Sequence, residues 1–545
     1  MALTLALVMA STALIHTAAL AQNLNQPINQ PLSQPLNQPV PPPTSSLPSL
    51  GDGSEMAAAA ERRLGDRIAA SIYRDPDLIE DPVLGEYVDG IWQSLRAAAR
   101  ARGELGSELD ERFAWQVFLV RDRSINAFAL PGGYFGVHLG LIGSVSSADE
   151  LAAVLAHEMS HVTQRHISRL MTQQAQQAPW IMAAMILGII AAGKNSQVGS
   201  AAIVGGQALA VQNQLNFSRD MEREADRVGF TVMQSAGYEM RGMATMFEKL
   251  QQASRLNDSG SFPYLRSHPL TTARIAEAQA RLQLDAQDAS KTAAQPSRRS
   301  ADAPMLHAMM AARARILAAP GVDTLRPMIS EGERRAAAMA AVATPASAAN
   351  VNDAGVLYGA ALAAGQLRDF PVAKGFLTRL KPLVAGSQSN AAVVNLLAID
   401  IDLLEGKVPP SAAAFDLTTA TTRAEVLTQS RSLLAARRTL EVVSRLQTWV
   451  TAHPKDAAAW QLLATAYGNQ GQNVRAIRAD AESRAAQLDY GAALDRLRAA
   501  QTMIRSTPAS ADHVESSIID TRTRQVDSLV KEQALQDKID RKLQN

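Results

Sequence analysis

The stretch "LAAVLAHEMSHVTQRH", Leu151 to His166, decides how the rest of the chain is read. Its apolar residues recur with helical spacing. His157 and His161 stand four apart and so share one face of that helix. Two imidazoles one turn apart can grip a single metal ion, and Glu158 beside them can reach a metal-bound water without being a ligand. That is the arrangement of a zinc peptide hydrolase with a glutamate general base. With nine His and 52 acidic residues in 545 positions, composition would produce the pattern by chance about 0.02 times. The apolar residues around HEMSH put three polar groups on a buried helix, where each must be satisfied or pay a desolvation cost. A metal satisfies all three. His166, nine residues past His157, lies half a turn off on a continuous helix and reads as a solvated neighbour of Arg165.

The chain has no cysteine, so any metal must be held by His, Asp or Glu. A third ligand is expected from "RDMEREADRVGF", Arg219 to Phe230. Met221, Ala225, Val228 and Val232 form its buried stripe. Glu222 and Asp226 border that stripe together, while Glu224 points away. Glu222 therefore suits the metal. Asp226 suits a hydrogen bond to a ligand histidine from behind, which fixes the ring's tautomer. The plainer reading of Glu222 and Asp226 is a surface salt-bridge ladder with Arg219 and Arg223.

Between HEMSH and the amino terminus the chain reads as two helices, then strands. "FAWQVFLVRD" (Phe113 to Asp122) alternates, and "INAFALPGGYFGVHLGLI" (Ile125 to Ile142) reads as strand, Pro131-Gly132-Gly133 turn, strand. Asn126, Ala127 and Phe128 begin a strand that reads as a sheet edge, where an extended peptide could pair. The expected fold is mainly α with a small β-sheet: a zincin-like metalloprotease domain at 55–285, a polar linker at 286–303, and helices from 304 to 505. "VLYGAALAAGQLRDFPVAKGFLTRLKPL" and "AAAWQLLATAYGNQGQNVRAIRADAE" space their large and small residues like tetratricopeptide repeats, whose period is about 34 residues. A C-terminal helix occupies 506–545.

The first residues, "MALTLALVMASTALIHTAALAQ", are apolar and end in a small-residue cleavage pattern after Ala21, although the start lacks Lys or Arg. Residues 1–21 read as a signal peptide, with a membrane anchor as the alternative. Residues 22–54 are a Pro/Gln/Asn-rich disordered tether. Residues 180–212 form an apolar span too short for a simple crossing helix. They read as a lid-like hairpin or a peripheral membrane contact. Net charge is +1, which gives no reason to expect nucleic acid.

Taken together, HEMSH, the E-R-E-A-D of residues 222–226, "NAFALPGGYFGVHLGLI" and "SHPLTTARI" (Ser267 to Ile275) resemble the gluzincin family of HtpX and the CAAX prenyl protease. With helical repeats after them, the chain resembles the exported branch typified by the β-barrel assembly-enhancing protease. The resemblance implies one zinc ion per chain on His157, His161 and Glu222, with Glu158 as base and Asp226 as orienting group. It also implies that His268 approaches the metal as a regulatory or fourth ligand. Composition alone would read Ser267-His268-Pro269 as a surface turn. By the same analogy the protein is a periplasmic endopeptidase in quality control or assembly of outer-membrane proteins. Its substrates would be unfolded or misassembled envelope proteins, its dock the barrel-assembly machinery. The alternatives are a periplasmic holding chaperone or scaffold with a latent zinc site, and a membrane-embedded HtpX-like protease.

Overall fold

Helix ends are set by side chains that the sequence supplies locally. In the computed structural model, which describes residues 56–177, 218–256, 264–291, 302–341, 351–409, 417–506 and 512–542, most long helices start on a Ser, Thr or Asp cap. The signal-peptide, tether and 180–212 hairpin expectations fall outside the described residues.

Helices α1 (Ala58–Ile72), α2 (Pro82–Ala101) and α3 (Ser107–Arg112) lead into strands β1 (Gln116–Val120), β2 (Ala127–Leu130) and β3 (Tyr134–His138). Asp81 caps α2 by accepting from the Leu84 amide, with Pro82 at the first helical position. The sheet order is β1-β3-β2. β1 runs parallel to β3, and β2 antiparallel to it. The β2–β3 turn needs Gly132 and Gly133, both at positive φ (74° and 78°). β2 is thus an edge of this sheet, as read from the sequence, although all four of its residues are buried. The second predicted strand is shorter than expected. Leu139–Ser144 is a helical turn, α4, in which Gly140 packs against the Arg123 backbone, 2.1 Å from where a Cβ would stand.

Next comes α5 (Ala148–Thr163), capped by Ser147 and carrying Asp149 and Glu150 in its first turn, where the helix dipole favours them. It is followed by α6 (His166–Gln177), α7 (Arg219–Ser235), α8 (Arg241–Leu256), α9 (Tyr264–Ser267) and α10 (Thr272–Lys291). Helix α5 is buried on every side, between β2, α2, α7 and α8. Helix α10 continues to Lys291, into the stretch read as linker.

The remaining helices are α11 (Ala303–Ala318), α12 (Val322–Ala341), α13 (Val351–Gln366), α14 (Phe370–Val384), α15 (Gln388–Glu405), α16 (Arg423–Ala435), α17 (Thr439–Ala452), α18 (Ala457–Asn469), α19 (Asn473–Ala486), α20 (Tyr490–Ser506) and α21 (His513–Lys542). Most pack against their sequence neighbours. The polar stretch near 286–303 does not divide the hydrophobic core. One apolar cluster runs from Ala58 to Ala424, and two smaller ones follow at Leu417–Ala479 and Ala481–Val526. The reason is α11, which packs on α4 and α2 as well as on α13. Its Arg313 is buried against Asp81, Asp400 and the Tyr358 hydroxyl. Among the described residues, no helix is long and apolar enough to cross a membrane.

Candidate metal centre

The site is assembled where α5 and α7 approach most closely. Gly229 makes that approach possible: a Cβ there would stand 3.1 Å from the backbone of Ala156 and His157. With the helices that close, Glu222 on α7 reaches the histidine face of α5. His268, just after α9, enters from a third direction.

His157, His161, Glu222 and His268 each offer one ligand atom, and these atoms all lie within 4.8 Å of one another. His157 Nε2 is 3.0 Å from His161 Nε2 and 3.3 Å from His268 Nδ1. The Glu222 oxygens are 3.4 Å from His161 Nε2, 3.6 Å from His157 Nε2 and 3.1 Å from His268 Nδ1. Four donors bound tetrahedrally at zinc distances would stand roughly 3.3 Å apart. The donor set therefore fits a metal of that kind. Glu158, 1 % exposed, adds a second sign. Both of its carboxylate oxygens are buried; the Tyr264 hydroxyl bonds to the carboxyl, and one oxygen lies 3.4 Å from His268 Nε2. A buried carboxylate with so few partners is a candidate for proton transfer.

Electrostatics separate the two glutamates. Burial pushes the Glu158 carboxyl above its ordinary value, against the pull of His268 and His157. Burial also acts on Glu222, but His268, His161 and His157 outweigh it and hold that carboxyl well below the usual range. Burial drives His161 well below the ordinary imidazole value. A ligand histidine needs that neutral state. For His268, burial is overcome by Glu158 and Glu222, and its value rises.

Asp226 does not form a surface ladder with Arg219 and Arg223. Its Oδ1 lies 2.9 Å from His157 Nδ1, behind the atom that faces the metal position. Arg274 donates to both oxygens of Asp226, at 2.6 and 2.8 Å, and its third nitrogen is 2.7 Å from Glu222. Burial raises the Asp226 carboxyl, but His157 and Arg274 more than reverse this. Ala127 and Phe128 lie on β2, which packs against α5, and Asn126 directly precedes that strand.

Three participants escape the sequence reading. Arg274 closes the S-H-P-x-x-x-x-R stretch, and that fixed spacing was its signal. Tyr264, stacked on His268 with ring centres 4.6 Å apart, precedes it by one helical turn. His166 needs a correction. It is fully buried, not solvated, with Nδ1 2.9 Å from His161 Nδ1. Counting residues around a helix fails here because α5 ends at Thr163. Arg165 takes a left-handed φ of 59°, and α6 restarts in a new direction. Ser267 and His268 are likewise buried rather than at the surface.

Comparison with known proteins agrees with this geometry. Residues 95–282 match the sequence profile described as Peptidase family M48. The chain is 28 % identical over 449 residues to the β-barrel assembly-enhancing protease of Yersinia pestis, covering 81 % of this chain and 84 % of that one. It is 33 % identical over 238 residues to the Escherichia coli K12 protein of the same name, covering 43 % and 47 %. The mitochondrial metalloendopeptidase OMA1 of Arabidopsis thaliana is 30 % identical over 232 residues, covering 41 % and 42 %. The matched region thus spans about half the length of the Escherichia coli relative, and the same share of one from Vibrio cholerae.

Proposed function

We propose, for a chain whose residues 95–282 match peptidase family M48, that it is a zinc-dependent endopeptidase of the bacterial cell envelope, held closed by its own histidine. The observation that carries this reading is the buried convergence of His157, His161, Glu222 and His268 beside Glu158.

His157, His161 and Glu222 would hold the ion. When bound, zinc supplies Lewis acidity, acidifying a water and polarising a peptide carbonyl. Glu158 does the proton work: it takes the water's proton and delivers it to the departing amine. Its raised carboxyl value suits both halves of that exchange. Asp226 and Arg274 fix His157 and Glu222 in place. An extended substrate would pair along Asn126, Ala127 and Phe128, gaining main-chain hydrogen bonds with little side-chain selectivity.

Catalytic zinc sites keep one position open, whereas closed four-ligand sites are structural. His268 would take the fourth position and would then have to withdraw for substrate to enter. That closed set also favours a second reading, a holding chaperone with a latent site. The helix pairs from 304 to 505 would supply a repeat surface for clients or partners. The three bacterial relatives are named β-barrel assembly-enhancing protease, which supports β-barrel proteins as clients; the assembly machinery as dock and the periplasm as compartment are part of this proposal. The Glu158→Gln variant tests the enzymatic reading. It should retain zinc and lose casein cleavage altogether. Cleavage surviving in Glu158→Gln would remove Glu158 from the chemistry.

A further inference from the structure

His166 is a buried titratable side chain with no part in the chemistry above. Its Nδ1 lies 2.9 Å from Nδ1 of His161, and its Nε2 lies 3.0 Å from Glu224 Oε2. The same Glu224 oxygen accepts from Arg169 at 2.8 Å. The break between α5 and α6, with Arg165 in the left-handed region, turns His166 back onto a ring five residues earlier.

Protons can be placed on this chain in one consistent way. Glu224, paired with Arg169, only accepts, so His166 Nε2 carries a hydrogen and donates it. A neutral imidazole has one such hydrogen, so His166 Nδ1 accepts. His161 Nδ1 must then be the donor. That leaves His161 Nε2 as a bare lone pair, aimed at the position shared with His157, Glu222 and His268. Were the chain reversed, the proton would sit on the metal-facing nitrogen and His161 could not ligate.

We propose that His166 is a positioning residue: with Glu224 behind it, it fixes the tautomer and ring angle of His161 for the metal. The two ligand histidines are then held from behind by different devices. Asp226 serves His157 directly, and a histidine–glutamate pair serves His161. Partners of this kind commonly tune metal affinity ten- to a hundredfold. The inference rests on the metal reading above.

The test uses the full chain, stripped of metal and titrated with Zn2+ alone against a competing chelator, with folding checked by thermal melting. His166→Phe keeps a ring in the buried space but accepts nothing. It should weaken zinc binding roughly ten- to a hundredfold. His166→Asn places an acceptor oxygen near the Nδ1 position and should recover most of that loss. In the Co2+-loaded protein, the paramagnetically shifted Nδ1–H resonance of His161 should persist in the wild type and in His166→Asn, and vanish by solvent exchange in His166→Phe. Equal losses in the Phe and Asn variants would show that only packing matters and overturn the proposal. So would a folded His166→Phe with wild-type affinity. If His166→Phe does not fold, Glu224→Ala, altered at a partly exposed position, should still bind zinc several-fold more weakly, and unchanged affinity there overturns the proposal too. A wild type that takes up no metal defeats the metal reading itself, whereas a metal-binding wild type with unaffected variants defeats this inference alone.

Discussion

Arg274 lies where two buried carboxylates meet. It donates to both oxygens of Asp226 and lies 2.7 Å from Glu222. Removing one member of such a buried group leaves charge without compensation and typically costs about 3–5 kcal/mol. Arg274→Met should therefore lower the unfolding free energy of the metal-free protein, read from urea denaturation, by an amount in that range, and an unchanged value would show that Asp226 and Glu222 do not depend on it. Asp226→Asn should also cost stability, because Arg274 loses the carboxylate it donates to twice, and in the folded fraction should weaken zinc roughly ten- to a hundredfold, read by chelator competition. Residue by residue, the helix part of the site was the legible part. The four-residue spacing placed His157 with His161 and Glu222 with Asp226, and the structure brings these residues together. His166 was not legible, because a periodicity count assumes a helix that continues, and this one breaks at Arg165. The pairing of Arg274 with Asp226 was also hidden, since Arg274 arrives from 48 positions downstream, although the S-H-P-x-x-x-x-R spacing marked it as a residue to watch.

Between elements, the decisive contact is the crossing of α5 and α7 at Gly229. Any side chain there meets the backbone of Ala156 and His157. Gly229→Val should push α7 outward, carry Glu222 away from the two histidines, and weaken zinc binding by at least about tenfold. Wild-type affinity in that variant would mean that helix spacing does not set the site. The end of β3 offers a pH test. His138 is buried between Ser124 and Asn126, and burial lowers its value from 6.5 to about 4 despite Asp122 nearby. Its neutral form is the one the fold accommodates. The stability it contributes is complete above about pH 6.5 and is lost as pH falls toward 4, amounting to about 3 kcal/mol. Urea unfolding between pH 7 and 4 should show a steeper decline in the wild type than in His138→Gln. Parallel curves would remove His138 as the cause. Strand positions and the Gly132-Gly133 turn were readable from alternation and turn chemistry. The helix at Leu139–Ser144 was not, since nothing in the alternation marks it; its Gly140 meets the Arg123 backbone, a contact no local pattern gives.

At the scale of the whole molecule, composition marks a boundary near 286–303 that the core ignores. Apolar packing continues from Ala58 to Ala424, and ion pairs cross the same line. Arg313 joins Asp81 to Asp400, and Arg423 joins Glu80 to Asp456. A polar linker can be seen in a sequence. Whether the helices beyond it share a core with those before it depends on which faces meet, and Arg313 looks like one more helix-surface arginine until Asp81 is found opposite. Arg313→Ala should cost about 3–5 kcal/mol and should destabilise the metal-binding half along with the repeats, seen as a joint shift of both unfolding signals. Loss confined to the C-terminal helices would show that the halves fold independently. The proposed centre is a single zinc ion on His157, His161 and Glu222, with His268 proposed to close the fourth position. The most direct measurement is zinc content and casein cleavage for the purified wild type and His268→Ala side by side. One zinc per chain in both, with cleavage at least about tenfold faster once His268 is removed, is the predicted result. A well-folded wild type that binds no zinc would contradict it.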